Sequence, residues 1–504
     1  MAIAGKNYIN GQWTPASSEE TFPSASPADT RDVLGHFPRS NSADVDAAVK
    51  AAREAFPVWR RESRIRRGEV LDRFVQIVKA EQEDIARIMS RECGKSITES
   101  RADVVEGIHT AQYWFGVARN PSGDVIASEI PDKDSYVYRK PKGVVACISP
   151  WNFPFAIPLW LTCPSLVEGN TVVLKPAEET PLVAQRLVEC MEKAGAPRGV
   201  FNLVQGMGEE AGWPLVNHPE VDVVLFTGSA QVGSMIKEAC AKDYRKFCVA
   251  EMGGKNAIVV FDDADFDLAV DAAMISAYRT TGQRCVSAGR AIVHESIVDR
   301  FADALKKKTQ LIRIGNPLQE DVFMGPLVSQ AALKKVEGYN KLAVQEGANV
   351  LLNGGRLSGD KYDHGYFIRP FLYTMKHNAT SRVLREEVFG PHLAIIPFKT
   401  LEEAAEIYND TEYGFSMALC TNDYRKVRAM RELCDFGVGY VNLPTIGAEV
   451  HLPFGGVKRS GTGIPSAAGL LDAVSHRVTV TVNHDRKITM AQGMRNNFDE
   501  LKPG

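Results

Sequence analysis

The chain has 504 residues, 44% of them hydrophobic and 24% charged, with a formal net charge of -3. That length calls for more than one core, about two to four domains, in an ordinary globular composition. The charge balance leaves no footprint for nucleic acid or an anionic membrane, and the longest apolar stretches, such as 153–166, are broken by prolines and span no bilayer.

Nine cysteines are scattered without a CxxC pair, which points to a reducing, cytoplasmic compartment rather than a disulfide framework. The histidines show no HExxH spacing, so no metal site is expected. No N-terminal segment joins a basic start to an apolar core, so no secretory signal is expected.

In chain order, the first forty residues are rich in Ser, Pro, Gly and Asp and read as a surface arm with turns. Val45, Ala48, Val49, Ala52, Phe56 and Trp59 then recur at helical spacing, with Ser42 as the N-cap. Val70, Leu71, Phe74, Ile77 and Val78 mark a second helix closed by Gly94, and a third covers about 98–117. Residues 124–142 alternate around a charged turn and predict a hairpin, an edge suited to another subunit.

From 143 the rhythm changes. Short apolar runs at 144–148, 171–174, 201–204, 223–226 and 257–261 alternate with helical segments, the pattern of a parallel sheet. Ligands of such sheets sit at the carboxyl ends of the strands. There lie Pro150-Trp151-Asn152-Phe153-Pro154, Lys175-Pro176-Ala177-Glu178 and Thr227-Gly228-Ser229, the last with Gly233 opening a helix. Gly228 and Gly233 miss the GxGxxG spacing and are either an anion cradle or a tight structural turn. Lys175 and Glu178 suit a nucleotide's phosphate and ribose, or are solvated loop charges.

A second α/β pattern fills 262–450, with helices at 265–277, 297–309 and 333–346 and strands at 291–293, 393–397 and 437–442. The run 477–482 is rich in β-branched residues and reads as an edge strand, one that could pair across a subunit boundary. Between helix and strand stands Gln283-Arg284-Cys285-Val286-Ser287. A cysteine, a distant carboxylate at Glu251 and glycine-rich turns are the parts of a thiol nucleophile with a helper base. Taken alone, each is more often structural.

The ordered set PWNFP (150–154), KPAEET (175–180), TGSAQVG (227–233), EMGGKN (251–256), GQRC (282–285), EEVFGP (386–391) and PFGG (453–456) resembles the NAD(P)-dependent aldehyde dehydrogenases over nearly the whole chain. The resemblance implies an α/β fold: a Rossmann-like cofactor domain (1–123 and 143–255), an α/β catalytic domain (256–456) and a small β oligomerisation element (124–142 and 475–490), in a homodimer or homotetramer. It implies Cys285 as nucleophile, Glu251 as general base and Asn152 as the oxyanion-binding amide. NAD, or NADP, would meet Ser149, Pro150, Trp151, Lys175, Glu178, Gly228, Ser229, Gly233, Met252, Gly253, Glu387 and Phe389. Glu178 favours NAD, because a carboxylate there repels a 2′-phosphate.

The chemistry agrees. An aldehyde carbon has no electron pair with which to expel hydride, but adding a thiolate makes a thiohemiacetal that does. Water must then hydrolyse the thioester, and a carboxylate can activate it.

Within the family, segment 442–449, residues 491–493 and Arg284 before the cysteine resemble the antiquitin branch, which acts on α-aminoadipic semialdehyde. The substrate would meet Glu106, Phe153, Arg284, Thr445, Gly447 and Ala448. Arg284 and Glu106 would hold its carboxylate and ammonium, or else Arg284 pairs structurally and Glu106 is a solvated helix charge. Gly463-Ile464-Pro465, His392 and His451-Leu452-Pro453 depart from the pattern. Another ω-semialdehyde, a simple aliphatic aldehyde, a CoA-acylating reaction and a catalytically silent relative are the alternatives.

Overall fold

Among the residues described by this computed structural model, 3–462 and 468–493, two seven-stranded sheets carry the fold. The first runs in the order Phe247–Glu251, Val223–Thr227, Val144–Ile148, Thr171–Lys175, Phe201–Leu203, Asn7–Ile9, Gln12–Thr14. Its first five strands are parallel and the last two antiparallel. Val144–Ile148 and Thr171–Lys175 are continuous apolar runs because helices cover both faces. Strand order reverses between Val144–Ile148 and Val223–Thr227, which opens a crevice at their carboxyl ends. The chain therefore delivers Ser149 to Asn152 and Gly228-Ser229 to the same edge.

The second sheet runs Asn349–Asn353, Phe371–Thr374, His392–Phe398, Ala288–His294, Asn256–Val260, Ser416–Cys420, Val438–Val441. Only its first strand is antiparallel to its neighbour. Met252 to Lys255 alone separate Glu251, which ends a strand of the first sheet, from Asn256, which begins one of the second. The seam between the sheets thus carries the glycine-rich turn.

Several expectations change. The run at 257–261 lies in the second sheet, and the fifth parallel strand of the first is Phe247–Glu251. The opening arm is two antiparallel pairings, anchored by buried Tyr8, Phe22 and Phe37. Helix Ser42–Trp59 is capped by Asn41, whose side chain accepts from the Ala43 N–H at 2.8 Å while Asp44 accepts from the Asn41 N–H at 3.0 Å. Helix Arg64–Cys93 is closed by left-handed Gly94, and helix Ile97–Val117 follows.

The predicted hairpin is Gly123–Ile126 with Lys133–Pro141. The terminal strand Ser475–Asn483 pairs with this chain's own hairpin, from Ser475 opposite Pro141 to Asn483 opposite Lys133. This three-stranded sheet exposes Val125, Ile126, Tyr136, Tyr138, Val480 and Val482.

Candidate active site

Cys285 sits in a loop held under strain. Helix Phe266–Tyr278 ends in a turn in which Thr280, Thr281 and Gly282 all adopt left-handed backbone, with φ of 52°, 56° and 69°. For β-branched residues that costs about 1–3 kcal/mol each. Only glycine fits at 282, since a Cβ there would lie 2.2 Å from the Gly390 carbonyl oxygen. The turn is fixed by its side chains. Thr280 Oγ1 donates to Glu99 Oε1 at 2.6 Å and Thr281 Oγ1 to the Gly325 carbonyl at 3.0 Å. Gln283 Oε1 accepts from the Val328 N–H at 3.0 Å, and the Cys285 carbonyl accepts from Asn256 Nδ2 at 2.7 Å.

Burial pushes the Cys285 thiol up, the carboxylates of Glu251 and Glu387 push it further, and Arg284 opposes them. Glu251 is buried; its Oε1 accepts from the Gly456 N–H at 2.9 Å and its Oε2 has no hydrogen-bond partner among the described residues. Burial holds its carboxyl well above the usual range, against the N–H groups of Gly456 and Met252. Asn152, also buried, donates from Nδ2 to the Gln283 carbonyl at 3.0 Å, which ties it to the cysteine loop and leaves its second amide hydrogen free.

At the crevice of the first sheet, Lys175 is buried with its ammonium 2.9 Å from Glu178 Oε2. The Ser149 N–H donates to the Lys175 carbonyl at 3.2 Å, and its buried Oγ has no partner. Pro150 continues this loop to Trp151, whose ring stands edge-on to Phe389 at 5.7 Å. Glu387 Oε1 accepts from the Gly254 N–H at 2.8 Å, and burial raises its carboxyl. A Cβ at Gly253 would meet that carboxylate at 2.2 Å.

Ser229 caps helix Ala230–Ala241, its Oγ accepting from the Val232 N–H at 3.3 Å. Ser229, Lys335, Glu387 and Tyr413 line one cavity of about 520 Å³. Gly228 and Gly233 serve packing here, since a Cβ would strike the Phe226 ring or Met252 Sδ, each at 2.4 Å. The Ser149 hydroxyl, without a hydrogen-bond partner among the described residues, the buried Lys175 and the start of helix Ala230–Ala241 at this cavity fit a phosphate-bearing dinucleotide.

On the other side, Phe153, Ile446, Ala448 and Cys285 pack against the same apolar cluster. Lys95 Nζ lies 3.8 Å from the Phe153 ring centroid and Arg284 Cζ 5.0 Å from it. Both cations are taken: Lys95 pairs with Asp103 at 2.8 Å, while Arg284 donates from Nη2 to Glu99 at 2.8 Å and from Nε to Thr280 Oγ1 at 2.6 Å.

The half-buried Glu106 carboxyl has no hydrogen-bond partner among the described residues. Burial pushes it up to about 8, helped by Asp103 and opposed by Lys95 and Arg284. Tyr440 feels both Cys285 and Glu106, and its hydroxyl is raised to about 12, chiefly by burial. The Thr445 N–H donates to Ser276 Oγ at 2.9 Å, its carbonyl accepts from Ser416 Oγ at 2.7 Å, and its buried Oγ1 is partnerless. Gly447, at φ 135°, is exposed at the rim.

His392 is buried, bonded to Asn340 at 2.9 Å and Tyr373 at 3.1 Å, which is why a polar ring stands where an apolar residue is common. Gly463-Ile464-Pro465 lies outside the described residues. Sequence reasoning missed Glu99, Lys95 and Tyr440, for which the local pattern offered no signal. Among the described residues no group of three or more His, Cys, Asp or Glu could hold a metal, and no helix is long and apolar enough to cross a membrane.

A thiol on a strained loop, a buried carboxylate whose charge reaches it and a crevice at a sheet switch point are the parts of a covalent oxidoreductase. The family model described as "Aldehyde dehydrogenase family" matches residues 13–480. The chain is 40% identical to alpha-ketoglutaric semialdehyde dehydrogenase of Bacillus subtilis (strain 168), over 90% of this chain and 93% of that one. It is 38% identical to glutarate-semialdehyde dehydrogenase of Pseudomonas putida, over 90% and 93%. The crystal structure of betaine aldehyde dehydrogenase from Staphylococcus aureus in complex with NAD+ superposes with a TM-score of 0.93 at 33% identity, covering 96% of each chain. The chain belongs to the aldehyde dehydrogenase family, and it is an enzyme that oxidises an aldehyde to the carboxylate.

Proposed function

We propose that the protein oxidises an ω-semialdehyde with NAD through covalent catalysis at Cys285. The observation that carries this reading is the buried carboxyl of Glu251, whose charge acts on the Cys285 thiol and whose Oε2 has no hydrogen-bond partner among the described residues. Cys285 releases its thiol proton to water, Sγ adds to the aldehyde carbon as the thiolate, and the spare amide hydrogen of Asn152 with the Cys285 N–H meets the resulting oxyanion, each donor contributing a few kcal/mol. NAD supplies the hydride acceptor. Glu251 takes a proton from water, which attacks the thioester on Cys285 and frees the carboxylate. A water-activating Glu251 favours hydrolysis over transfer to a thiol.

The cofactor reading is supported by the switch-point crevice, by Lys175 and Ser149, and by Glu387 beside Gly253. Glu178, paired with Lys175, favours NAD over NADP because its charge repels a 2′-phosphate. The two sheets support the division into a cofactor domain and a catalytic domain meeting at the 252–255 turn. The apolar face of the three-stranded sheet supports a homodimer or homotetramer. Nine free cysteines support a reducing, cytoplasmic setting.

The relatives' names support a substrate with an acid group at its far end. The finer reading, α-aminoadipic semialdehyde as in the antiquitin branch, is supported by segment 442–449 and by the unpaired Glu106, which can take an ammonium. Arg284 does not supply the carboxylate site, because Glu99 and Thr280 engage it. NADH formation with α-aminoadipic, glutarate and glutamate semialdehydes and hexanal, by wild type and Glu106→Gln, tests this. A charge-assisted contact of about 1.5–3 kcal/mol predicts that Glu106→Gln loses roughly ten- to hundredfold in kcat/KM for the amino-bearing substrates alone. Equal loss on all four substrates, or none, overturns the ammonium reading and leaves a broad-specificity aliphatic aldehyde dehydrogenase.

A further inference from the structure

We propose that Glu99 is the positioning residue of the nucleophile: one buried carboxylate, presented by helix Ile97–Val117, sets both the turn before Cys285 and the direction of Arg284 beside it. This rests on the reading of Cys285 as nucleophile.

Glu99 stands in the first turn of its helix, and its Oε2 accepts from Ser96 Oγ at 2.9 Å, so one oxygen serves the helix start. The other oxygen leaves the helix altogether. Oε1 accepts from Thr280 Oγ1 at 2.6 Å and from Arg284 Nη2 at 2.8 Å, and Arg284 Nε donates to the same Thr280 hydroxyl at 2.6 Å. These bonds close a ring of three side chains around a turn whose two threonines have left-handed backbone. A turn in so sparsely populated a conformation persists only where its surroundings over-determine it. Among the described residues, Oε1 is the one charged atom bonded to both ends of the stretch from Thr280 to Arg284.

Glu99 is buried yet ionised. Burial works to raise its carboxyl, but Arg284, the Thr280 hydroxyl, Lys95 and Arg279 together hold it below the usual range. Its charge therefore acts on Arg284, and Arg284 is the cation that favours the Cys285 thiolate against Glu251 and Glu387. Through this chain, Glu99 restrains the influence of Arg284 on the thiol while fixing the loop that aims it.

The test uses the full-length enzyme with Glu99→Gln, Glu99→Asp and Glu99→Ala, and Cys285→Ser as control. It measures kcat, the KM for cofactor, the melting temperature, and the pH dependence of iodoacetamide labelling read on the Cys285 peptide. Glu99→Ala is expected to lower kcat at least tenfold with the cofactor KM within twofold of wild type. Glu99→Gln, which keeps an acceptor for Thr280 but frees Arg284 from its counter-ion, is expected to shift the labelling profile to lower pH. Glu99→Asp should restore part of kcat.

Unchanged kcat and an unchanged labelling profile in Glu99→Gln and Glu99→Asp, with only the melting temperature lowered, would overturn the proposal and leave Glu99 a helix cap. If Glu99→Ala fails to fold, those two variants decide. Turnover retained by Cys285→Ser would instead remove the nucleophile reading, whatever Glu99 does.

Discussion

Arg284 donates from Nη2 to the buried Oε1 of Glu99 at 2.8 Å, across 185 positions of chain. The guanidinium next to Cys285 is thus committed to the protein's own fold, with 16% of its side chain exposed and 7% of its partner's.

Arg284→Ala should therefore behave as the loss of one partner of a buried pair, at about 3–5 kcal/mol of stability. The chemical denaturation midpoint should fall, and kcat/KM should drop by the same factor for hexanal and for an acid-bearing semialdehyde. A loss confined to the acid-bearing substrate would make Arg284 a substrate clamp.

Glu106 predicts a pH signature. Its carboxyl is raised to about 8 by burial and Asp103, so it is protonated below that pH and ionised above it. The ratio of kcat/KM for an ammonium-bearing semialdehyde to that for hexanal should rise between pH 7 and 9. Taking the ratio cancels the titration of Cys285. Glu106→Gln should flatten it. A ratio that falls with pH, or persists in the variant, contradicts the assignment.

Lys95 and Asp103 form a buried pair at 2.8 Å, and the second Asp103 oxygen accepts from the Ala156 N–H at 2.8 Å, at the start of helix Ala156–Glu168. Asp103→Asn leaves the Lys95 ammonium without its counter-ion beneath Phe153, which should cost about 3–5 kcal/mol. Urea unfolding followed by tryptophan fluorescence measures it. A midpoint within error of wild type would show that the pair contributes nothing.

The sequence made the family legible where its motifs are local. Cys285, Glu251 and Asn152 stand in short ordered motifs, and the apolar runs at Val144–Ile148 and Thr171–Lys175 read as buried parallel strands because they are. Phe247–Glu251 escaped notice: it is an edge strand whose apolar run is only four residues long, opens on an exposed Phe247 and stands just before the glycine-rich turn. Asn256–Val260 looked like the next strand of the same sheet because periodicity does not say which sheet a strand joins. Glu99 and Lys95 stand in no motif of the sequence. Their burial follows from partners far along the chain, which no local pattern encodes. The same holds for Arg284, whose neighbours in sequence suggest a ligand and whose neighbours in space are Glu99 and Thr280.

The central claim, thiol addition at Cys285 followed by hydrolysis through Glu251, is tested most directly in a single turnover of Glu251→Gln. With water activation removed and the thiol intact, one equivalent of NADH per active site should form in a burst and then stop, with the substrate's acyl group found by mass spectrometry on the Cys285 peptide. Steady turnover at the wild-type rate, or an acyl group on any other cysteine, would contradict it.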